Sequence, residues 1–189
     1  MLSRELERFY QDWREKASRY NKEEISDYYD KFFTLFVVFN RLYAEATFEL
    51  ARRGEITIHP DRPLPDRKGA TEYCFKMIGL NRFETLYKSK LASPIAELEQ
   101  YIQDEKFYIK LSVPDGDPQR AEDLELLERL RKNGDEKYLA ILDVVYTIRC
   151  NMFHGHKSFT PLQIDLLRPT INILQAVIEE LYSVLNPKV

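Results

Sequence analysis

The sequence predicts an all-α protein, an up-and-down helical bundle with a small insertion of loop and β-ribbon. Apolar residues recur at three- and four-residue steps through most of the chain, which is the spacing of one helix face. Only six of the 189 residues are glycine, and 44% are hydrophobic against 31% charged, as in globular proteins. A chain of this length can bury one core without disulfides. We therefore interpret residues 1–189 as one domain, with excursions at 54–68 and 106–118.

Two helices are predicted at the beginning of the chain. The first spans residues 4–20, and the second spans residues 23–53 without a proline or glycine. Aromatic and aliphatic side chains from Tyr28 to Ala46 recur at helical spacing, so the second helix should lie in the core. Gly54 ends it, because glycine readily adopts the left-handed conformation found just after helices.

The next stretch combines a loop with shorter helices. Three prolines fall within six residues of segment 55–69, which therefore predicts a loop with a short strand. Three helices follow: one over 70–78, one capped by Asn81, and one opened by Ser93 and Pro94. Proline suits the first turn of a helix, since no backbone N–H needs a partner there.

A second strand is predicted beyond these helices. Residues 106–113 read KFYIKLSV, a run that favours a strand, and VPDGDP then provides the proline and glycine of a turn. We expect this strand to pair with residues 56–58 in a two-stranded ribbon. Such a ribbon is stable only when it packs on a larger body, here the helices.

Three further helices complete the predicted bundle. They cover residues 117–132, 135–155 and 160–185. The last one opens on a capping box that pairs a threonine with Gln163, and Pro169 should kink or restart it. The short loops between these helices favour antiparallel neighbours.

Charge and composition exclude several classes of function. The net charge is −3, so the molecule as a whole does not attract nucleic acid, and any such role needs a local patch. Neither GxxxxGK[ST] nor GxGxxG occurs, which excludes the two common glycine-rich phosphate loops. Cys74 and Cys150 lie far apart, and His59 and His156 have no nearby cysteine or paired carboxylate at ligand spacing. We therefore expect neither a metal site nor a cofactor.

The sequence also predicts a protein of the cytoplasm. The longest apolar run covers only residues 32–39, too short to cross a bilayer. The first residues, MLSRELERFYQDW, carry charge throughout and lack the apolar stretch of a secretory signal. We expect no membrane partner and two reduced thiols.

The predicted helix 135–155 carries the residues of chemical interest. Arg149 projects between two apolar flanks of this helix. A polar ridge on the opposite side consists of Asp143, Thr147, Asn151 and His154. Buried polar groups need partners, so these side chains must either face a cleft or be satisfied across an interface.

The end of this helix predicts an anion site. His154 lies in the last turn, where the helix dipole favours the charged imidazole. Arg149, His156 and Lys157 form a cationic cluster with it, and no carboxylate occurs in residues 144–164. Arginine offers a planar fork to phosphate oxygens, and histidine moves protons near neutral pH. The cluster therefore suits cleavage of an RNA phosphodiester, in which the 2′-hydroxyl attacks the adjacent phosphorus.

A simpler interpretation of the same residues stays open. His154 can cap the helix end while Arg149 makes a contact across an interface, with no catalysis. The spacing itself is weak evidence, because Arg52 and Arg53 stand at similar spacing before His59 in the proline-rich segment, where we interpret it as chance. Spacing alone therefore does not choose between an active site and a structural role.

Two segments resemble the HEPN domain superfamily. The string YTIRCNMFHGHKSF, residues 146–159, is similar to its signature, in which an arginine and a polar residue precede a histidine near the end of a late bundle helix. Those positions hold Arg149, Asn151 and His154. FFTLFVVFNRLY, residues 32–43, is similar to the aromatic pattern of a core HEPN helix, with Asn40 at its polar position.

The resemblance implies a homodimeric, metal-independent endoribonuclease. Two copies of the motif would face one cleft, where Arg149 stabilises the phosphorane, His154 transfers protons, and Asn151 orients the phosphate or the histidine. Two histidines can divide the roles of base and acid, which one histidine cannot fill at once. The RNA substrate would be bound by Asn40, His156 and Lys157.

The resemblance also implies a setting and partners. HEPN proteins act in toxin–antitoxin systems, phage defence and RNA processing, so an antitoxin or a protein of the same operon is an expected partner. In HEPN toxins silenced by a nucleotidyltransferase, a tyrosine two residues after the histidine accepts AMP. His156 stands at that position, so we do not expect this form of silencing. Inactive HEPN-like bundles exist as well, and the alternative is a catalytically silent module for dimerisation or interaction.

Overall fold

The computed structural model describes residues 3–59, 63–113, 115–155 and 159–187. Within these ranges the chain forms seven helices and no strand, so the prediction of an all-α bundle is confirmed. The helices are α1 (Arg4–Ser18), α2 (Ile25–Arg52), α3 (66–78), α4 (80–103), α5 (Arg120–Arg131), α6 (Asp135–Phe153) and α7 (Gln163–Leu185). None of the described helices combines the length and the apolar character that a membrane span requires.

The long helix α2 is the centre of the core, as its apolar spacing predicts. It packs along α7 and against α1 and α3, and side chains such as Phe32, Phe39 and Leu42 are fully buried. On the other side of the molecule, α6 packs against α5 and α3. Burial of aromatic and aliphatic side chains such as these removes large apolar areas from water and provides most of the driving force for folding.

A π-helical turn widens each of the helices α3 and α4. In α3 the turn Gly69–Tyr73 lies against α2, and a Cβ at Gly69 would stand only 2.9 Å from Cδ2 of Tyr43. Glycine therefore allows the beginning of α3 to approach α2 closely. This approach brings Asp66, the first residue of α3, next to the Tyr43 hydroxyl.

The structure merges two predicted helices into α4. Ser93 and Pro94 predict the start of a new helix, but α4 continues through them after the π-helical turn Tyr87–Leu91. Proline clashes with the carbonyl four residues earlier in a regular helix, and a wide preceding turn relieves that clash. The predicted Asn81 cap is also wrong, because α4 begins at Leu80, directly after Gly79 with φ +83°.

The predicted β-ribbon does not form among the described residues. Instead, Leu111 makes an isolated antiparallel bridge with Pro118, and residues 107–111 run extended over the helices. The buried carboxylate of Asp123 accepts backbone N–H bonds from Ile109 and Lys110 at 3.2 and 2.8 Å. A side chain of α5 thus takes the hydrogen bonds that a partner strand would otherwise receive.

The last helix also differs at its beginning. The predicted capping box at Thr160 and Gln163 is not observed, since α7 begins at Gln163 without a side-chain cap. Pro169 lies inside α7, which runs on without a break to Leu185. Packing of α7 against α2 outweighs the one backbone hydrogen bond that the proline removes.

Candidate functional site

Helix α6 carries a buried carboxylate that binds three cations. Asp143 is only 7% exposed, and its oxygens lie 2.5 Å from Arg67 Nη2, 2.8 Å from Lys110 Nζ and 3.7 Å from Arg129 Nη1. We call these four residues the Asp143 cluster. They come from the beginning of α3, the extended segment 107–111, α5 and α6, so the cluster ties four parts of the chain together.

The cations outweigh the cost of burying the Asp143 charge. Burial alone would raise the pKa of Asp143, but the hydrogen bond and the charge of Lys110, followed by those of Arg67, lower it below its usual value. The carboxylate is therefore ionised at neutral pH. Its partners are complete, which is the pattern of a structural ion cluster.

The rest of the polar ridge also binds the segment 107–111. Lys110 Nζ lies 3.4 Å from Thr147 Oγ1, and the buried Asn151 amide donates a hydrogen bond of 2.7 Å to the Ile109 carbonyl oxygen. The predicted need of this ridge for partners is thus met within the chain. Asn151 thus holds the segment in place, and its role of orienting a phosphate or His154 stays a prediction.

Arg149 lies on the other side of α6, at the base of an open pocket of about 250 Å³. We call this the Arg149 pocket, and its lining consists of Phe33, Phe36, Val37, Asn40, Arg149 and Phe153. The α2 spacing that builds the core also presents four of these side chains to α6, because residues three and four apart share a helix face. The predicted substrate residue Asn40 stands exposed at the rim.

The guanidinium of Arg149 is held by rings more than by hydrogen bonds. Its Cζ lies 4.4 Å from the centroid of Phe153, 5.3 Å from that of Phe36 and 5.9 Å from that of Tyr146. Its polar contacts are loose, with Nη1 at 3.9 Å from both Cys150 Sγ and Asp66 Oδ2. Nε is buried and has no hydrogen-bond partner among the described residues.

Asp66 completes the surroundings of Arg149. The hydroxyl of Tyr43 donates a hydrogen bond to Asp66 Oδ1, and the hydroxyl of Tyr146 donates one of 2.9 Å to Oδ2. Burial, followed by the hydrogen bond to Asp66, raises the pKa of both tyrosines well above the usual value, so both keep their protons. Asp66 therefore accepts hydrogen bonds from two tyrosine hydroxyls, and the Arg149 guanidinium is a third and more distant partner.

Sequence reasoning missed Asp66 because it lies in the segment predicted as a loop. The available signal was local: Asp66 follows Pro65 and stands at the beginning of a helix, a position that favours acidic residues. Its contacts with Tyr43 and Tyr146 depend on how α2, α3 and α6 pack, and no spacing along the chain encodes them.

His154 ends α6 as predicted. Its backbone N–H donates to the Cys150 carbonyl oxygen at 2.9 Å, its side chain is exposed, and Gly155 follows with φ +72°. Five residues along a helix correspond to about 7.5 Å of rise and about 140° of rotation. Arg149 and His154 thus leave the helix in different directions.

The remaining predicted residues do not take part in the Asp143 cluster or the Arg149 pocket, as far as the structure describes them. His156 and Lys157 lie outside the described residues. Arg52 forms an ion pair of 2.9 Å with Glu49 on the surface of α2, which fits the interpretation of its spacing to His59 as chance. Among the described residues, no group of three or more His, Cys, Asp or Glu side chains could hold a metal ion.

Comparison with known proteins found no match for this chain. No protein family, no curated protein and no solved structure matches it. The geometry of α6 and its surroundings, together with the resemblance of the two short segments, is therefore the basis on which a function can be proposed.

Proposed function

We propose that the protein is an endoribonuclease of the HEPN type, active as a homodimer, with Arg149 binding the scissile phosphate and His154 transferring protons. One observation carries the proposal: Arg149 lies half-buried in an open pocket with its hydrogen-bond donors underused. Buried donors without partners are rare in folded proteins, and a catalytic role or a bound ion is among the explanations for one. The fork of a guanidinium matches the oxygens of a phosphate diester.

The proton chemistry requires a second copy of the chain. One histidine cannot serve as base and acid in the same step, and Arg149 and His154 leave α6 in different directions. Large apolar side chains are exposed after α6, at Phe159 and Leu162, and Phe159 packs on Tyr29 at 4.8 Å. Exposed apolar patches of this kind favour association. A two-fold dimer through this end of the bundle would bring both motifs to one cleft.

In the proposed reaction, the RNA 2′-hydroxyl oxygen attacks the neighbouring phosphorus and the bond from phosphorus to O5′ breaks. His154 takes the proton of the 2′-hydroxyl. The same histidine of the second copy, in its charged form, gives a proton to the departing O5′. The products are a 2′,3′-cyclic phosphate and a 5′-hydroxyl, and Arg149 stabilises the charge that develops on the phosphorane.

Purified protein and end-labelled RNA, incubated with a chelator, test this proposal. We expect wild-type protein to cleave RNA and leave cyclic phosphate ends. His154→Ala should lower the rate by a factor of about 10²–10⁴, the usual contribution of a general acid or base. Arg149→Lys should also cleave more slowly, because a point charge replaces the fork.

His59→Ala is the matched control, since His59 is exposed and stands after Arg52 and Arg53 at similar spacing. It should cleave like the wild type. Equal rates for wild type and His154→Ala would refute the proposal, as would products with linear 3′-phosphates at the earliest times. The cellular setting implied by the HEPN resemblance, toxin–antitoxin or phage defence with an antitoxin partner, stays a prediction.

The contact with Asp66 favours a second candidate function. A carboxylate 3.9 Å from Arg149 compensates part of the positive charge that a phosphate would need. The protein would then be a catalytically silent helical module that associates through its exposed apolar side chains. A dimer in solution that cleaves no RNA, in every arm of the experiment above, would select this function.

A further inference from the structure

The Arg149 pocket has features that the cleavage chemistry does not need. A phosphate requires only the guanidinium, yet Arg149 is surrounded by aromatic rings. Phe153 is 60% exposed, an unusual position for a phenylalanine in a folded domain. Phe33 packs against it, with ring centroids 4.9 Å apart and ring planes at 82°.

This arrangement leaves much of the Phe153 ring accessible. The Arg149 guanidinium lies over one face of the ring, with 4.4 Å from Cζ to the centroid, and Phe153 is nevertheless 60% exposed. Ring surface therefore remains for stacking. A ring that already packs on Phe33 and Arg149 stacks on a planar ligand at low cost in conformational entropy.

The size of the pocket restricts the ligand. Its volume is about 250 Å³, whereas pockets for drug-sized molecules measure roughly 300–1,000 Å³. One planar ring system fits, and a sugar with its phosphate would have to remain outside, beside Arg149. Asn40 at the rim offers an amide donor and an amide acceptor to the edge of such a ring.

We infer that the Arg149 pocket binds one unpaired RNA base, stacked on Phe153 and contacted at its edge by Asn40, with the adjoining phosphate on Arg149. This inference rests on the proposed function and adds a base-binding subsite next to the phosphate site, with Phe153 and Asn40 as its residues. Splayed-out bases that stack on aromatic rings and guanidinium planes, and that are read at their edges, are how proteins recognise single-stranded RNA.

A base fits the charge of the site better than a second protein chain does. Apolar side chains from a partner would bury the Arg149 guanidinium without an anion beyond the distant Asp66 carboxylate. Burying a poorly paired charge is strongly unfavourable. A base brings its own phosphate, so the stacking group and the counter-charge arrive together.

Binding of mononucleotides tests the inference without depending on catalysis. The four ribonucleoside 5′-monophosphates and ribose 5-phosphate are titrated into wild-type protein and followed by calorimetry or by NMR of the protein. These ligands have no scissile diester. We expect the nucleotides to bind at least 10-fold more tightly than ribose 5-phosphate, and the four bases to differ in affinity.

Three variants locate the base. Phe153→Ala should weaken nucleotide binding about 10-fold, the loss typical of one stacking partner, and leave ribose 5-phosphate unaffected. Asn40→Ala should make the four affinities similar. Phe48→Ala is the control. Like Phe153, Phe48 is an exposed phenylalanine, but it lies on α2, about 12 Å along that helix from Asn40. It should bind as the wild type does.

The outcomes separate this inference from the proposed function. Equal affinities for nucleotides and ribose 5-phosphate, or an unchanged affinity in Phe153→Ala, overturn the base pocket even if the protein cleaves RNA through His154. Nucleotide binding that depends on Phe153, in a protein that cleaves nothing, keeps the pocket and refutes the nuclease. A Phe153→Ala protein that is monomeric by ultracentrifugation, when the wild type is a dimer, assigns the pocket to the interface and also overturns the inference.

Discussion

The two charged sites on α6 differ in how completely their partners are provided. Asp143 is buried and binds Arg67, Lys110 and Arg129, all within 3.7 Å. Arg149, less than two turns further along the same helix, has only contacts of 3.9 Å and aromatic rings, and its Nε has no partner in the described part of the chain. We call the Asp143 site closed, because its charge is paired within the chain, and the Arg149 site open, because part of its hydrogen-bonding capacity is unused.

This difference separates a structural role from a functional one better than sequence position does. A buried charge in a helix is unfavourable unless it is paired, so a closed cluster stabilises the fold that brings its members together. An open site keeps part of its binding capacity for a molecule from outside. Asp143 and Arg149 are equally conspicuous in the sequence, and only their partners distinguish them.

The largest expected effect is on the closed site. Asp143→Asn removes the charge that Lys110 faces, and Lys110 is only 13% exposed, so its ammonium becomes a poorly paired buried charge. We expect the free energy of unfolding to fall by about 3 kcal/mol, as measured by urea denaturation. Asp165→Asn, which breaks an exposed pair with Lys106, is the control and should leave the midpoint near that of the wild type. Equal effects of the two substitutions would contradict a closed cluster.

The same variant predicts a pH dependence. Because the pKa of Asp143 is lowered in the folded state, its contribution is complete above the unfolded value of about 3.9 and is lost as pH falls through the lower folded value. The stability difference between wild type and Asp143→Asn should therefore be constant near neutral pH and shrink below about pH 4. A stability difference that grows as pH falls would contradict a lowered pKa for Asp143.

An intermediate effect is expected at Gly69, where α3, the helix that carries Asp66, packs against α2. Gly69→Ala places a methyl group 2.9 Å from the ring of Tyr43, which is buried and bonded to Asp66. Overpacking of this kind costs about 1–3 kcal/mol, against roughly 1 kcal/mol gained by replacing glycine within a helix. We expect a net loss of stability of about 1 kcal/mol in thermal or urea unfolding. A gain in stability would mean that α2 and α3 are not in close contact here.

The smallest effect is expected at the open site itself. Arg149→Met keeps an unbranched side chain for the aromatic rings and removes the unpaired Nε, so stability should change by less than about 1 kcal/mol. Urea denaturation beside Asp143→Asn makes the comparison direct. A loss as large as that of Asp143→Asn would show that Arg149 is structural, and would weaken the proposed function.

The helices could be predicted because their signals are local. The apolar spacing of α2, the stop at Gly54 and the end of α6 near Gly155 all appear in the structure. The ribbon was wrong because residues 107–111 find their hydrogen bonds on Asp123, a side chain of α5, rather than on residues 56–58. Local propensity predicts an extended segment but not its partner.

The candidate site also combines residues that local signals predict with residues that only tertiary packing brings together. Arg149 and His154 stand out from charge and helix position, whereas Asp66, Tyr43 and the aromatic lining of the pocket depend on the packing of α2, α3 and α6. Asn151 is predicted from a motif, and its amide also holds the Ile109 carbonyl oxygen, a contact that the motif does not encode. Its neighbours in space decide its role.

By itself, the sequence determined that this chain folds as a helical bundle and that α6 carries charges which need partners. Both follow from the period of the helix, which acts over a few residues. Only the tertiary structure decided which charge is closed and which remains open, because Lys110, Arg67 and Asp66 reach α6 from distant parts of the chain. Pairing of charges depends on distances of a few ångströms, and only packing sets those distances.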